Sequence, residues 1–456
     1  MLRRDFLRTT AASAAALSVN PRWLSADPFP VADRLAWWRD AKFGMFIHFG
    51  LYSGPGGEWN GKPTGSHEWM RNNAKIPHDE YIRLADAFNP TALDVDAWVR
   101  TAKDAGQKYI VFTTKHHEGF ALFDSAVSRY TVMHTPYKRD ICADLARACR
   151  KHGLKLGWYY SIMDWYHPDY LPRRDWESRD ARGANFSRYL AFMKTQLREL
   201  LTNYGEIAVL WFDGQWESTW THAAALELEA YCRQLMPNVI INDRIDVGVP
   251  KDPPDGYRRA GDYTTPELTV PERGLPGQDW ETCMTMNRNW GYAKDDSEWK
   301  PLPELVKLLV GTASRGGNLL LNVGPDGTGR IPPESLDGLK GMGAWLRTNG
   351  RAIYGTRANP FDRGLLVQRA GVRTPVRVTR GERTLNLFVE EWLGGPLVLP
   401  GVRQAPRSAT VLGAGAVPLE WEQTPAGLTL TFGERGPNAL MPVVQLRFDA
   451  ALRIAE

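Results

Sequence analysis

Short apolar runs alternate with longer amphipathic stretches from about residue 40 to residue 325. The runs have the length of buried strands, and the stretches repeat apolar residues at helical spacing. The predicted strands are 43–49, 109–114, 155–161, 207–212, 238–242 and 318–323, with a further strand near 262–265. Helix patterns include 94–105, 141–152, 188–203 and 222–236. This α/β order fits a (β/α)8-like (TIM) barrel better than an open sheet, although eight clean units cannot be counted.

The pattern changes after a final helix that ends near residue 350. Period-2 strands at 383–389, 397–399, 428–432 and 443–448, separated by Gly and Pro turns, predict a small β-sandwich. We therefore expect an α/β domain over 27–357 and a C-terminal β-sandwich over 358–456. Trp392 and Trp421 offer stacking surfaces, so carbohydrate binding is an alternative to a mainly structural role for the second domain.

The N-terminus combines Arg3 and Arg4 with a short apolar run and a small-residue site ending at Ala26. This pattern is typical of a twin-arginine export signal over residues 1–26, which predicts a periplasmic or secreted protein. A basic amphipathic helix is the alternative. The run is too short for stable membrane insertion. Cleavage removes four Arg and one Asp, lowering the formal charge of +4 to about +1, so no basic field for nucleic acid remains.

Composition adds two further constraints. The 18 Trp and 16 Tyr residues suit flat contacts with sugar rings, although core packing is the simpler explanation. The four cysteines form no CxxC pair and have no zinc-site spacing. Cys142 and Cys149 lie seven residues apart in a helical pattern, beyond disulfide reach, so a fold built on disulfides is not expected.

Five of the predicted segments end in side chains that can bind polar ligands or carry out chemistry. In a parallel barrel the carboxyl ends of the strands meet at one face, where active sites are built. The sequence therefore predicts that these side chains converge. They are His48, His116, His117, Tyr159, Asp213 and Arg244.

Each of these residues also has a simpler interpretation. His48 can be a hydrogen-bonded structural residue. Asp213 can be a helix N-cap. Arg244 can pair with its neighbours Asp243 or Asp246.

The adjacent histidines His116 and His117 raise the question of a metal. Neighbouring residues in an extended chain point to opposite faces, so we do not expect both to bind one ion. The sequence contains no GxSxG nucleophile elbow, and the glycines of 316–330 surround a strand and a turn rather than forming a phosphate loop. Carboxylates, histidines and tryptophans at strand ends, without a cofactor motif, suit glycoside hydrolysis by two carboxylates.

Eleven segments resemble the α-L-fucosidases of glycoside hydrolase family 29, in the family's order and over roughly residues 40–355. Phe49 stands where many members have Trp, and Glu118 where many have Asp. The segments are KFGMFIHFGLYS, GEW, FTTKHHEGF, YKRD, GWYYS, LWFDG, NDR, DYTTPE, DWETC, NWGY and SRGGNLLLNVGPDGTG.

The resemblance implies an exo-acting, retaining α-L-fucosidase without cofactor or metal, acting on fucosylated glycans or glycosides. It implies Asp213 as nucleophile and Glu267 as acid/base, with Glu281 as the second candidate for the latter role. Further residues would contact the sugar, position Asp213 or form apolar walls. These are His48, Glu58, Trp59, His116, His117, Tyr159, Trp211, Arg244 and Trp290.

Two other classes of function stay open at this point. A non-catalytic fucose-binding protein would bind fucose without turnover, although the presence of both carboxylates argues against it. A metal-dependent hydrolase using His116 and His117 would lose activity with a chelator. The oligomeric state and the preferred linkage are not indicated by the sequence.

Overall fold

A computed structural model describes residues 31–361, 364–369, 372–413 and 419–454. The predicted export signal at 1–26 lies outside these residues. Within them, no helix is both long and apolar enough to cross a membrane. The α-helices are α1 (Val31–Ala41), α2 (Met70–Asn73), α3 (His78–Tyr81), α4 (Val95–Asp104), α5 (Ile141–His152), α6 (Phe186–Thr202), α7 (His222–Leu235), α8 (Leu302–Ala313) and α9 (Pro333–Asn349).

Seven parallel strands form the central sheet, in the order β7-β6-β5-β4-β1-β9-β8. A separate ribbon pairs β2 (Glu58–Trp59) with β3 (Lys62–Pro63). Every residue of β1, β4, β6, β8 and β9 is buried, as expected for strands covered on both faces. The strands are β1 (Phe43–Ile47), β4 (Tyr109–Lys115), β5 (Lys155–Ser161), β6 (Val209–Asp213), β7 (Ile240–Ile241), β8 (Glu281–Thr285) and β9 (Asn318–Val323).

An eighth strand position closes this sheet into a barrel. Residues 262–267 lie between β7 and β8 and pair with both sides through the parallel bridges Asn242 to Tyr263, Thr264 to Trp280, and Glu267 to Cys283. The (β/α)8-like prediction is confirmed, with the segment expected near 262–265 in the closing position. Strand β8 was not among the predicted strands.

The helices alternate with the strands as the periodicity predicts, with one exception. Helix α5 has the predicted bounds, whereas α6 begins two residues earlier than predicted because the Asn185 side chain caps it by accepting from Ser187 N and Arg188 N. Residues 246–280, all of them described, contain no helix. The closing segment therefore connects to β7 and β8 through irregular loops.

Aromatic side chains fill the inside of the barrel. Phe46, Tyr109, Tyr159, Trp211 and Tyr263 belong to one buried cluster. A larger cluster lies between the sheet and the surrounding helices. Much of the unusual Trp and Tyr content is thus core packing, and part of it borders the site described below.

The C-terminal part is a β-sandwich of two antiparallel sheets, as predicted. Their orders are β10-β11-β12-β17-β14 and β13-β16-β15. A separate apolar core lies within it. The strands are β10 (Leu365–Arg369), β11 (Val372–Arg380), β12 (Thr384–Val389), β13 (Gly395–Pro400), β14 (Ser408–Val411), β15 (Glu420–Thr424), β16 (Gly427–Phe432) and β17 (Val443–Arg447).

The sandwich packs on the barrel through specific contacts. The Trp345 indole N–H of α9 donates to Leu440 O at 2.9 Å, and the Thr379 hydroxyl donates to Ala352 O at 2.6 Å. Of the two tryptophans considered for carbohydrate binding, Trp392 donates to Gly433 O at 2.8 Å, whereas Trp421 is 38% exposed.

Candidate active site

A cavity of about 370 Å³ opens at the carboxyl ends of the barrel strands. Its volume falls in the range of small-molecule sites. All six side chains predicted to converge line it, together with three residues that the resemblance added. These are His48, His116, His117, Tyr159, Trp211, Asp213, Arg244, Glu267 and Trp290.

Asp213 is the last residue of β6 and is 8% exposed. It is not a helix cap, because the next helix, α7, begins at His222 and is capped by Thr221. The Tyr159 hydroxyl donates to Asp213 Oδ2 at 3.0 Å, and Arg244 Nη1 donates to Oδ1 at 3.0 Å. Burial raises the pKa of Tyr159 well above its usual value, so the phenol keeps its proton and remains a donor.

Arg244 joins two carboxylates across the cavity. Besides Asp213, its guanidinium binds Glu267, with Nη2 donating to Oε2 at 2.7 Å. The Trp290 indole N–H donates to the other oxygen, Glu267 Oε1, at 3.2 Å. The guanidinium carbon also lies 4.8 Å from the Trp211 ring centroid, a cation–π contact.

The sequence neighbours of Arg244 have other partners. Asp243 pairs with Arg259, and Asp246 pairs with His222 at 2.8 Å. The simpler interpretation of Arg244 as a partner of these aspartates therefore does not describe its contacts.

Glu281 lies below the cavity rather than in its lining. It is fully buried in β8, where it accepts hydrogen bonds from the Tyr109 hydroxyl and from Trp211 Nε1, the latter at 3.2 Å. Burial raises the pKa of Glu281 to about 7. Of the two glutamates considered as acid/base, Glu267 is the one that lines the cavity and shares a guanidinium with Asp213.

Both His116 and His117 line the cavity, with ring centroids 4.2 Å apart. The expectation that they face opposite ways is wrong, because β4 ends at Lys115 and the strand alternation ends with it. His117 contacts Ser161 Oγ through Nδ1 at 2.6 Å and places Nε2 3.5 Å from Asp213 Oδ2. Burial lowers the pKa of both histidines well below the usual value, so both are neutral at pH 7.

His48 has a fixed tautomer. Asn322 donates through Nδ2 to Trp290 O at 2.7 Å, so its Oδ1 is the acceptor that lies 2.7 Å from His48 Nδ1. Burial lowers the pKa of His48 to about 4, and the ring is neutral at pH 7. Nδ1–H therefore donates to Asn322, and Nε2 is left as an acceptor.

Glu58 and Trp59 are placed outside the cavity lining, which corrects their predicted position. They lie on the ribbon strand β2, where Glu58 pairs with Lys294 at 3.3 Å and Trp59 packs against the core. A second Glu-Trp pair, Glu68 and Trp69, lines the cavity instead. The repeat of the dipeptide ten residues later, in SHEWM, is the signal that was available in the sequence.

Glu68 is a buried carboxyl group at this site. It is 4% exposed and accepts from Gly291 N at 3.3 Å. Burial raises its pKa to about 7, and the nearby charges of Glu267 and Asp213 act in the same direction. The Trp69 ring lies 5.0 Å from His117.

Several other lining residues were not predicted from the sequence. Phe46, from the interior of the barrel, and Trp216, three residues after Asp213, are the largest of them. Among the described residues, no group of three or more His, Cys, Asp and Glu side chains is arranged to hold a metal ion. The four cysteines are buried and unpaired.

Comparison with known families gives a consistent match. The sequence profile described as Alpha-L-fucosidase matches residues 7–351. The chain is 31% identical over 441 residues to an α-L-fucosidase of Branchiostoma floridae, covering 92% of this chain and 93% of that protein. It is 36% identical over 372 residues to the plasma α-L-fucosidase of Rattus norvegicus, covering 77% and 76%.

Solved structures with the same fold agree. α-L-Fucosidase isoenzyme 1 from Paenibacillus thiaminolyticus superposes with a TM-score of 0.80 at 36% identity, covering 92% of this chain and 99% of that chain. A family 29 α-L-fucosidase from Bacteroides thetaiotaomicron gives 0.81 at 35% identity, covering 92% and 96%. That structure is a covalent intermediate, trapped with 2-fluoro-fucosyl fluoride using a Glu-to-Gln mutant.

Proposed function

The chain belongs to the α-L-fucosidase family, glycoside hydrolase family 29, and is a glycoside hydrolase; from this premise we propose how it works. It releases terminal α-L-fucose from fucosylated glycans or glycosides by a retaining double displacement. Asp213 is the nucleophile and Glu267 is the acid/base. The observation that carries the proposal is the single Arg244 guanidinium bound to both carboxylates within one cavity.

In the first step, an Asp213 carboxylate oxygen attacks C1 of fucose while protonated Glu267 gives its proton to the glycosidic oxygen. The C1–O bond breaks, the leaving group departs as an alcohol, and a fucosyl ester forms on Asp213. In the second step Glu267 takes a proton from water, whose oxygen attacks C1 and breaks the ester. Inversion at each step restores the original configuration.

Arg244 suits this two-step reaction because its two carboxylate partners change charge one after the other. When Asp213 becomes an ester it loses its negative charge, and the attraction of Arg244 is then directed to Glu267, which must be an anion to act as base. The Tyr159 O–H and Arg244 N–H groups hold the Asp213 carboxylate in one orientation before attack. The covalent intermediate trapped in the Bacteroides relative supports this chemistry.

The remaining lining residues supply sugar contacts. The neutral rings of His48, His116 and His117 and the carboxyl group of Glu68 offer donors and acceptors for hydroxyl groups. We assign to Glu68 and Trp69 the roles that the resemblance placed on Glu58 and Trp59.

Fucose also carries a C5 methyl group, which needs an apolar wall. Phe46 and Trp290 lie 6.0 Å apart between ring centroids and both line the cavity. A hydroxymethyl group against these rings would leave a hydroxyl unpaired, so this wall favours a 6-deoxy sugar. Trp211, 2% exposed, and Phe46, 1% exposed, close the bottom of the cavity below the sugar. A cavity closed on that side suits a terminal sugar rather than one within a glycan chain.

The test is hydrolysis of an aryl α-L-fucoside by the wild type, Asp213→Asn and Glu267→Gln, each with and without a chelator. We expect wild-type turnover that is insensitive to the chelator and nearly abolished in Asp213→Asn. For Glu267→Gln we expect a loss that shrinks as the leaving group becomes more acidic, because a good leaving group needs little proton donation.

Other results would select other functions. Saturable fucose binding without wild-type turnover would indicate a binding protein. Loss of activity with the chelator would indicate a metal-dependent hydrolase. Full turnover by Asp213→Asn would refute the nucleophile assignment.

A further inference from the structure

Strand β7 is short because the chain leaves the sheet at the catalytic face of the barrel. It has two residues, and after Asn242 the chain enters a 3-10 turn, Asp243–Ile245. This turn carries Arg244 into the cavity. It also removes the backbone with which β6 and the closing segment 262–267 would otherwise pair at this level, and buried backbone groups need partners.

On the β6 side, the Asn242 side chain takes the place of the missing strand. The Phe212 N–H donates to Asn242 Oδ1 at 2.7 Å, and Asn242 Nδ2 donates to Phe212 O at 3.0 Å. Both residues are buried. The side-chain amide thus pairs with the backbone of Phe212 as a strand would, directly before Asp213.

On the side of the closing segment, two side chains of the turn bind Thr265. The Asp243 N–H donates to Tyr263 O at 2.9 Å, and the turn then carries the backbone away. The Thr265 N–H donates to Asp243 Oδ1 at 3.1 Å, and Arg244 Nη2 donates to Thr265 O at 3.4 Å. Side chains therefore hold both backbone groups of Thr265, which is 8% exposed.

Both carboxylate oxygens of Asp243 are used in this arrangement. Oδ1 also accepts from the Thr265 hydroxyl at 2.5 Å, and Oδ2 pairs with Arg259. The Thr265 hydroxyl gives its one proton to Asp243, so its oxygen is free to accept from Arg244 Nε at 3.2 Å. Asp243 therefore orients Thr265 directly and Arg244 through the Thr265 hydroxyl.

Glu267 lies two residues after Thr265, on the same segment. Its side chain is 39% exposed, so packing alone does not fix it, and its backbone bridges only to Cys283 of β8. We propose that Asp243 is a positioning residue for the acid/base, because its hold on Thr265 fixes the edge of the segment that faces β7. The inference rests on the proposed function and adds to it a residue that does not line the cavity.

A displaced acid has a specific kinetic signature. Proton donation matters most for a poor leaving group such as phenol, and least for a good one such as 2,4-dinitrophenol. A shift of Glu267 therefore lowers kcat/KM for phenyl α-L-fucoside more than for 2,4-dinitrophenyl α-L-fucoside. A loss of folded enzyme lowers both values equally, so the ratio of the two separates positioning from general damage.

The test measures this ratio, phenyl to dinitrophenyl, in variants of the Asp243–Thr265 contact. We expect it to fall about tenfold in Asp243→Ala, and by a smaller factor in Thr265→Val, which loses the hydroxyl but keeps the N–H. Asp243→Asn and Thr265→Ser keep the oxygen that makes each contact and should restore most of the wild-type ratio. If Asp243→Ala does not fold, the pair Thr265→Val and Thr265→Ser still decides, because these two differ in the hydroxyl.

The matched control is Asn386→Ala, which removes a buried, hydrogen-bonded side chain from the C-terminal sandwich. It should keep the wild-type ratio. A wild-type ratio in both Asp243→Ala and Thr265→Val would overturn the positioning role. An equal fall in Asp243→Ala and Asp243→Asn would also overturn it, because the amide keeps an acceptor for Thr265.

Glu267→Gln, measured in parallel, separates this inference from the proposed function. A lowered ratio in Glu267→Gln with a wild-type ratio in Asp243→Ala would leave the acid/base assignment intact and refute only the role of Asp243. An unchanged ratio in Glu267→Gln, or no turnover by the wild type, would overturn the acid/base assignment and leave Asp243 with no acid to position.

Discussion

Glu281 offers a quantitative test of the electrostatics below the site. It is fully buried and hydrogen-bonded to Tyr109 and Trp211. We predict that Glu281→Gln stabilises the protein at alkaline pH and leaves its stability at acid pH nearly unchanged. Gln is neutral at every pH and keeps an oxygen that accepts from the Trp211 indole N–H.

The magnitude follows from the pKa of Glu281, which burial raises from an ordinary value of 4.5 to about 7. Below pH 4.5 the carboxyl group is protonated in both the folded and the unfolded chain, and its full contribution to stability is present. Between about pH 4.5 and pH 7 the unfolded chain loses the proton first, so stability falls as the pH rises. The total loss is about 3 kcal/mol, at about 1.4 kcal/mol for each pH unit.

The assay is denaturant unfolding of wild type and Glu281→Gln, followed by tryptophan fluorescence at pH 4.5 and pH 8.5. Other buried groups titrate in both proteins, so they cancel in the difference between the two. We expect the free energy of unfolding of Glu281→Gln, relative to that of the wild type, to be about 3 kcal/mol higher at pH 8.5 than at pH 4.5. The exposed Glu206, with 73% of its side chain accessible, provides the control Glu206→Gln, which should behave as wild type.

A difference that is the same at both pH values would refute the reasoning, since Glu281 would then not gain or lose its proton differently on folding. Activity gives a second reading of the same variant. Glu281→Gln should still hydrolyse an aryl fucoside, because Glu281 does not line the cavity. Loss of turnover with a strong dependence on leaving-group acidity would return the acid/base role to Glu281.

Two further predictions concern the proposed nucleophile, Asp213, and the N-terminus. Tyr159→Phe removes the hydroxyl that donates to Asp213 and should lower kcat/KM for an aryl fucoside about 10- to 100-fold. The control is Tyr231→Phe, because the Tyr231 hydroxyl donates to Lys194 O, away from the cavity. An equal loss of kcat/KM in both variants would contradict the role of Tyr159. Replacing Arg3 and Arg4 by Lys should retain the precursor in the cytoplasm, as measured by fucosidase activity in periplasmic and culture fractions; undiminished export would exclude a twin-arginine signal.

The strand-end residues were predictable because the barrel itself fixes where strand ends meet. Asp213, Tyr159 and Arg244 follow apolar runs that local periodicity identifies, and a parallel barrel brings such positions to one face. The same reasoning fails for β8, because Glu281 and its threonines interrupt the apolar pattern. The carboxyl group of Glu281 is buried with hydrogen-bond partners on other strands, Tyr109 and Trp211, which the local sequence does not contain.

Loop residues were harder to predict for a similar reason. Glu58-Trp59 and Glu68-Trp69 are the same dipeptide, so the dipeptide alone does not distinguish them. The path of the loop after β1 decides which of the two pairs lines the cavity. The orientation of His116 and His117 was missed because β4 ends at Lys115, so the alternation of an extended chain that the argument assumed does not extend to either histidine.

The helix-free stretch around the closing segment divides the enzyme into two halves with different freedom to change. Asp213 and Tyr159 sit on strands backed by packed helices, where a shift in the backbone disturbs a large core. Glu267 lies within residues 246–280, which contain no helix. Insertions and substitutions in those loops can change which leaving groups the enzyme accepts while Asp213, the proposed nucleophile, keeps its position, so specificity can evolve without a change in the strands that hold Asp213 and Tyr159.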